Sequence, residues 1–292
     1  MAGVDGQRWD AWDSLDLDDW AGSGPPEASA AQRAAAAGLT RTLPEPVLDG
    51  PAPVRRRRTG RRVLVVLLAT GLVLGSWAAG RPGDPLGAPA AAPVGTGGYA
   101  FLEEHADGRP VTFDPCQEIH YVVRPDGAPP SGAAMVEQAL AELHRATGLV
   151  FVDDGLTDEA PAQDRSRPDQ WSVRDTRPPV LIAWATEEEW PSLAGTVVGE
   201  AGPVSESVAG SVPRYTTGQV VLDAEDLDHP PGDRDGERAV RAVLMHELGH
   251  LVGLAHVDDP SQLMYARSGP EVTGFGTGDL RGLHELGSGD CV

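Results

Sequence analysis

The sequence predicts an α+β fold, a mixed sheet with helices packed on it, confined to the part of the chain from about Tyr99 to Val292. Three observations predict it. Short strand-like runs interleave with helix-period segments beyond Tyr99, and nothing before Tyr99 shows that alternation. A Pro/Gly/Ala stretch, "RPGDPLGAPAAAPVGTGG" at residues 81–98, separates the two regions. Near the C-terminal end, one segment keeps an apolar helical face while carrying a cluster of histidine and glutamate.

Taken in order, residues 1–62 are Ala- and Pro-rich, lack periodicity and read as a disordered tail ending in "RRRRTGRR". Trp9, Trp12 and Trp20 in "RWDAWDSLDLDDW" are unexpected in such a tail. They suit either a solvated segment or a docking motif for a cytoplasmic partner. Residues 63–80, "VLVVLLATGLVLGSWAAG", carry no charge. As a helix they would span roughly 27 Å, close to the hydrocarbon thickness of about 30 Å.

Six arginines on the N-terminal side orient this segment with the N-terminus in the cytoplasm. The expectation is a single-pass anchor at the cell membrane with residues 99–292 outside. The alternative is a signal cleaved near Ser76 and Ala78, which would secrete the same domain. Residues 81–98 are then a linker.

Within residues 99–292, "IHYVV" (119–123), "LVFVDD", "PVLIAWA" and "GQVVLDAEDL" (218–227) are strand candidates. "GAAMVEQALAELHRAT" (132–147) reads as an amphipathic helix, Arg238 to about Leu251 as a second, and "GDLRGLHEL" (278–286) as a short third.

All 23 positive charges are arginine, and the acidity is local. Residues 1–62 balance 9 Arg against 9 Asp/Glu, whereas residues 63–292 carry 14 Arg and 35 Asp/Glu. An acidic surface of that size excludes nucleic acid and anionic lipid headgroups as ligands of the domain. Solubility, calcium binding and a preference for basic substrates all fit it.

The second helix reads "RAVRAVLMHELGHLVGLAHVDDPSQLMY". His246 and His250, four apart, share one helical face and can bind one Zn2+. A hydrolytic zinc takes three protein ligands and leaves one position for water, so a third donor must come from backbone that has turned. Gly253 can end the helix and bring His256 to the metal. Glu247 beside the open position can act as general base towards the metal-bound water.

On these residues, "HELGHLVGLAH" resembles the metzincin zinc signature and "QLMY" its Met-turn, most similar to the matrixins. The resemblance implies a mixed five-stranded sheet with three helices, and Met264 as an apolar floor beneath the ligands. It also implies an extended protein or peptide substrate along an edge strand, placed here near Val220 to Leu222. Two departures stand out. Val257 follows the third histidine where matrixins carry serine, and Val221 stands where the family supplies a histidine to a second, structural zinc, so that zinc is not expected. Asp223, Glu225 and Asp226 match or neighbour calcium-binding positions of the family, or else form a solvated turn.

Cys116 and Cys291 are expected to pair, tying the first strand to the C-terminus. The competing reading, a cysteine that caps the zinc, lacks the family's pro-segment motif in "DPCQEIHY". His105, His120, His144, His229 and His284 read as surface or capping residues, and Tyr265 as pocket lining or an oxyanion donor. The sequence therefore reads as a zinc endopeptidase. The alternatives are a catalytically silent zinc-binding or adhesion module, which has no use for Glu247, and a sensor whose function lies in the tail.

Overall fold

The computed structural model describes residues 13–16, 84–163, 165, 178–207, 212–229, 232–267 and 271–291. The apolar run at 63–80, expected as an anchor or signal, and Trp9, Trp12 and Trp20 lie outside the described residues. Among the described residues no helix is long and apolar enough to cross a membrane.

The core sheet follows from where the β-branched and aromatic residues sit. Strands β3 (Ile119–Arg124), β4 (Phe151–Leu156), β5 (Val180–Ala185) and β7 (Arg214–Asp223) run parallel. β5, whose six residues are all buried, lies between β3 and β7. Strand β6 (Val197–Glu206) pairs antiparallel with β7, and a short β1 (Asp13–Asp16) pairs antiparallel with β6. The order is β1-β6-β7-β5-β3-β4. A second, two-stranded sheet joins β2 (Ala100–Phe101) to β8 (Leu254–Ala255). The five strands between residues 119 and 223 and the three helices below are the architecture that the resemblance implies.

Helix α1 (Gly132–Thr147) buries Met135, Val136, Ala139, Leu140 and Leu143 and stops at Gly148, φ 72°. Helix α2 (Arg234–Val252) opens on Asp233, whose carboxylate accepts from the N–H groups of Asp235 and Gly236. It begins four residues earlier than its hydrophobic pattern suggests, because that cap starts it on a solvated turn. Helix α3 is Thr277–Leu286.

Two differences from the sequence reading bear on function. Of the five strands between residues 119 and 223, the outer one next to β7 is β6, not the Val220–Leu222 segment, which sits inside the sheet between β5 and β6. β6 escaped the reading because "VVGEAGPVSE" has two glycines, a proline and a mid-strand glutamate in place of a β-strand pattern. Strand β7 also ends at Asp223, whose Oδ1 accepts from the N–H groups of Glu225 and Asp226 and turns the chain.

Residues 84–98 contain no helix or strand, yet they lie along the domain. Leu86 N–H donates to Pro115 O, Ala90 N–H to Arg145 O, and Arg281 Nη1 to Gly97 O. Cys116 and Cys291 form a disulfide, with Cα atoms 5.3 Å apart and 175 residues of separation. Neither thiol is therefore free to cap a metal.

Candidate metal centre and active site

The i, i+4 spacing on α2 brings His246 and His250 to one face, both fully buried. The helix then ends at Gly253, φ 116°, a backbone conformation that glycine adopts freely. The chain reverses through β8 and returns His256, half-buried, to the other two. The three Nε2 atoms form a triangle with sides of 3.0, 3.1 and 3.2 Å.

Their far ring nitrogens fix the tautomers. His246 Nδ1 lies 2.6 Å from Leu263 O and His250 Nδ1 2.7 Å from Leu254 O. A carbonyl only accepts, so each Nδ1 carries the proton, which in a neutral ring leaves the lone pair on Nε2. Burial, then the adjacent His250 and His256, hold the His246 imidazole well below its ordinary pKa and therefore neutral. With Nδ1 protonated and the rings neutral, His246 and His250 direct Nε2 lone pairs at each other across 3.0 Å, an arrangement that a cation between them relieves. That donor set suits zinc, whose Zn–N distance of about 2.0–2.1 Å lets one ion reach all three.

Glu247 is fully buried between the helix and the sheet. β6 passes directly above it: a Cβ built at Gly199 would fall 2.8 Å from Glu247 Oε1 and 2.9 Å from its Cγ. The strand can run this close only because position 199 has no side chain.

Met264, 1% exposed, packs against α2 at Gly249, where an added Cβ would meet its Sδ at 2.6 Å. The returning chain is stitched to it, since Val257 N–H donates to Met264 O at 3.0 Å and Val257 bridges Tyr265. Tyr265 is half-buried, and the loop that follows leaves the described residues at position 268.

Sequence reasoning missed the clasp that holds this turn. Asp279, in the first turn of α3 and fully buried, accepts from Leu263 N–H (2.6 Å), Gly276 N–H (2.8 Å) and Met264 N–H (3.4 Å). Gln262 reciprocates: its Oε1 accepts from the N–H groups of Gly278 (2.7 Å) and Asp279 (3.3 Å). Each segment thus satisfies the orphan N–H groups of the other. Burial raises the Asp279 carboxyl above its ordinary range, opposed by the three backbone donors. An acidic residue in a first helical turn was a visible signal, but its partner sixteen residues upstream was not.

The structure does not gather Asp223, Glu225 and Asp226 into a cation site. Asp223 commits its Oδ1 to the turn, and among the described residues the trio forms no group able to hold a metal. Burial, then repulsion from Asp223 and Glu187, raises the Asp226 carboxyl. Val221 packs with Ala185, Trp190 and Leu193 in an apolar cluster.

Residues 182–286, from within β5 to the end of α3, match the model of the matrixin peptidase family. Over these residues the chain is similar to the matrixins. Among solved structures, the crystal structure of metalloproteinase-II from Bacteroides fragilis is similar at 18% identity and a TM-score of 0.33. The similarity covers 60% of this chain and 53% of that one, so this chain spans about half of that protein's length. No curated protein matches the sequence. The matched residues take in both the α2 histidines and the Asp279 clasp.

Proposed function

We propose that the chain is a zinc-dependent endopeptidase that acts on proteins or peptides outside the cytoplasm. The observation that carries this reading is the triangle of three imidazole Nε2 atoms, with a buried carboxylate, Glu247, on the same helix under the outer strand. His246, His250 and His256 would hold the metal. Zinc, when bound, supplies a Lewis acid that acidifies water and polarises a carbonyl. Glu247 takes a proton from the attacking water and delivers it to the amide nitrogen of the scissile bond. Met264 keeps the imidazoles from sinking into the core, and burial on both sides excludes bulk water from the carboxylate.

Strand β6 aligns the substrate backbone by strand addition. Its outer edge pairs antiparallel with β1 through Asp13–Ala201, Ser14–Glu200 and Asp16–Val197, which supports its capacity to take an extended chain. That pairing requires residues 13–16 and the domain to share a compartment. A membrane-spanning 63–80 would separate them and leave the edge of β6 open to substrate. Export is supported by the uncharged run with arginines on its N-terminal side and by the disulfide, which belongs to an oxidising compartment.

The test is peptide-library cleavage by the full-length protein, wild type beside Glu247→Ala, each with zinc and with chelator. Cleavage by the zinc-loaded wild type alone supports the reading. Tight zinc binding without cleavage by either would replace it with the silent zinc-binding module.

A further inference from the structure

Successive residues of β6 face opposite ways. Gly199 faces Glu247 on α2, so Glu200 faces the other side of the sheet, where the segment Thr186–Thr196 returns from β5. There Glu200 is only 5% exposed, directly across the ladder from Val221 and next to Trp190. A carboxyl placed among carbon atoms needs donors. The Trp190 indole Nε1–H donates to Glu200 Oε2, and the Ser192 side chain adds a second bond. Trp190 itself is 2% exposed, wedged with Ala185, Leu193 and Val221.

The returning segment is a closed unit. Trp190 N–H donates to Thr186 O, Leu193 N–H to Trp190 O and Ala194 N–H to Pro191 O. Glu189 pairs with Arg124 of β3 at 2.7 Å. β6, by contrast, has β7 along most of its length on one side and only the four-residue β1 on the other. The polar bond from Trp190 to Glu200 therefore ties the outermost of the five strands to a body held on several sides. The tie falls on the residue next to the one that touches Glu247.

We propose that Trp190 and Glu200 form a latch that sets the position of β6, making both residues positioning residues for the substrate backbone. This rests on the endopeptidase reading. The latch acts through the strand and touches neither substrate nor metal. Its loss is felt where the substrate pairs with β6, in KM, more than in the proton transfers of Glu247.

The experiment uses the full-length protein as wild type, Glu200→Ala, Glu200→Gln, Trp190→Phe and the Trp190→Phe/Glu200→Ala pair. It measures kcat and KM per zinc-loaded molecule on a peptide the wild type cuts, and amide hydrogen exchange across residues 197–206. Glu200→Ala and Trp190→Phe should each raise KM by about tenfold with kcat within about twofold. Glu200→Gln, which keeps an acceptor oxygen, should restore KM, and the pair should be no worse than either single change. Exchange across β6 should rise in the variants that raise KM and only in those.

An unchanged KM, additive effects in the pair, or failure of glutamine to restore would overturn the latch. If the wild type cuts nothing, the endopeptidase reading fails separately, and exchange alone decides. Faster exchange in Glu200→Ala and Trp190→Phe but not Glu200→Gln sustains the latch, and equal exchange in all of them sinks it.

Discussion

Replacing Gly199 by alanine asks whether the close passage of β6 over Glu247 is what aims the carboxylate. The new Cβ would stand 2.8 Å from Glu247 Oε1, 2.9 Å from Cγ and 3.0 Å from Cδ, against about 3.4 Å for the start of ordinary contact. About 0.6 Å by difference must be found, either by lifting β6 or by swinging Glu247. The helix cannot yield easily, because His246 and His250 on either side of Glu247 are bonded to Leu263 O and Leu254 O. A displacement near half an ångström at the general base should lower kcat by roughly 10- to 100-fold. The imidazoles are untouched, so zinc content should stay at the wild-type level. The assay is steady-state cleavage by full-length protein with metal content and melting temperature measured alongside. Gly98→Ala serves as the control, since an added Cβ there meets nothing within 4 Å. Wild-type kcat in Gly199→Ala at unchanged melting temperature would refute the argument.

Three further outcomes are expected. Gly253→Ala forces a side chain into φ 116° and sets its Cβ 2.9 Å from Tyr215 Cε2, so His256 is misplaced and zinc affinity should fall at least roughly tenfold in a competition titration. Burial raises the Asp279 carboxyl above 3.8, so over the pH window between 3.8 and that raised value the folded state holds a proton the unfolded chain has lost. Stability should decline as pH rises through that window and level off above it. Asp279→Asn should remove that part of the slope in denaturant melts, and identical slopes would refute the assignment. Cys116→Ser/Cys291→Ser opens a loop closed over 175 residues, and the chain-entropy model puts its loss at about 5 kcal/mol, readable as a shift in the denaturant midpoint.

What the sequence made legible was local. The α2 histidines are four apart and the helix period alone brings them together, while Gly253 marks the reversal that delivers His256. α1 was legible to the residue because its apolar positions repeat cleanly between Ser131 and Gly148. The illegible parts depend on partners distant in the chain. β6 is a strand because β7 pairs with it over most of its length, despite Gly199, Gly202 and Pro203. Its place at the outside of the five strands follows from sheet order, which no run of residues encodes. Asp223 was offered as a calcium ligand or a turn residue because it matches or neighbours calcium-binding positions of the resembled family, and its Oδ1 accepts from the N–H groups of Glu225 and Asp226 in that turn. The Gln262–Asp279 clasp and the Trp190–Glu200 latch join residues 17 and 10 apart, beyond the reach of periodicity.

The Asp279 clasp also has an electronic side. Leu263 O, which receives the His246 Nδ1 proton, belongs to the same peptide unit as Met264 N–H, which points at Asp279 Oδ1. Negative charge at one end of that amide pushes its electrons towards the oxygen at the other, and a more negative oxygen strengthens the Nδ1–H bond. The imidazole beyond becomes the richer donor at Nε2. A carboxylate two groups removed from a metal held by these histidines would thereby tune how acidic its water becomes, with one peptide bond serving as the wire.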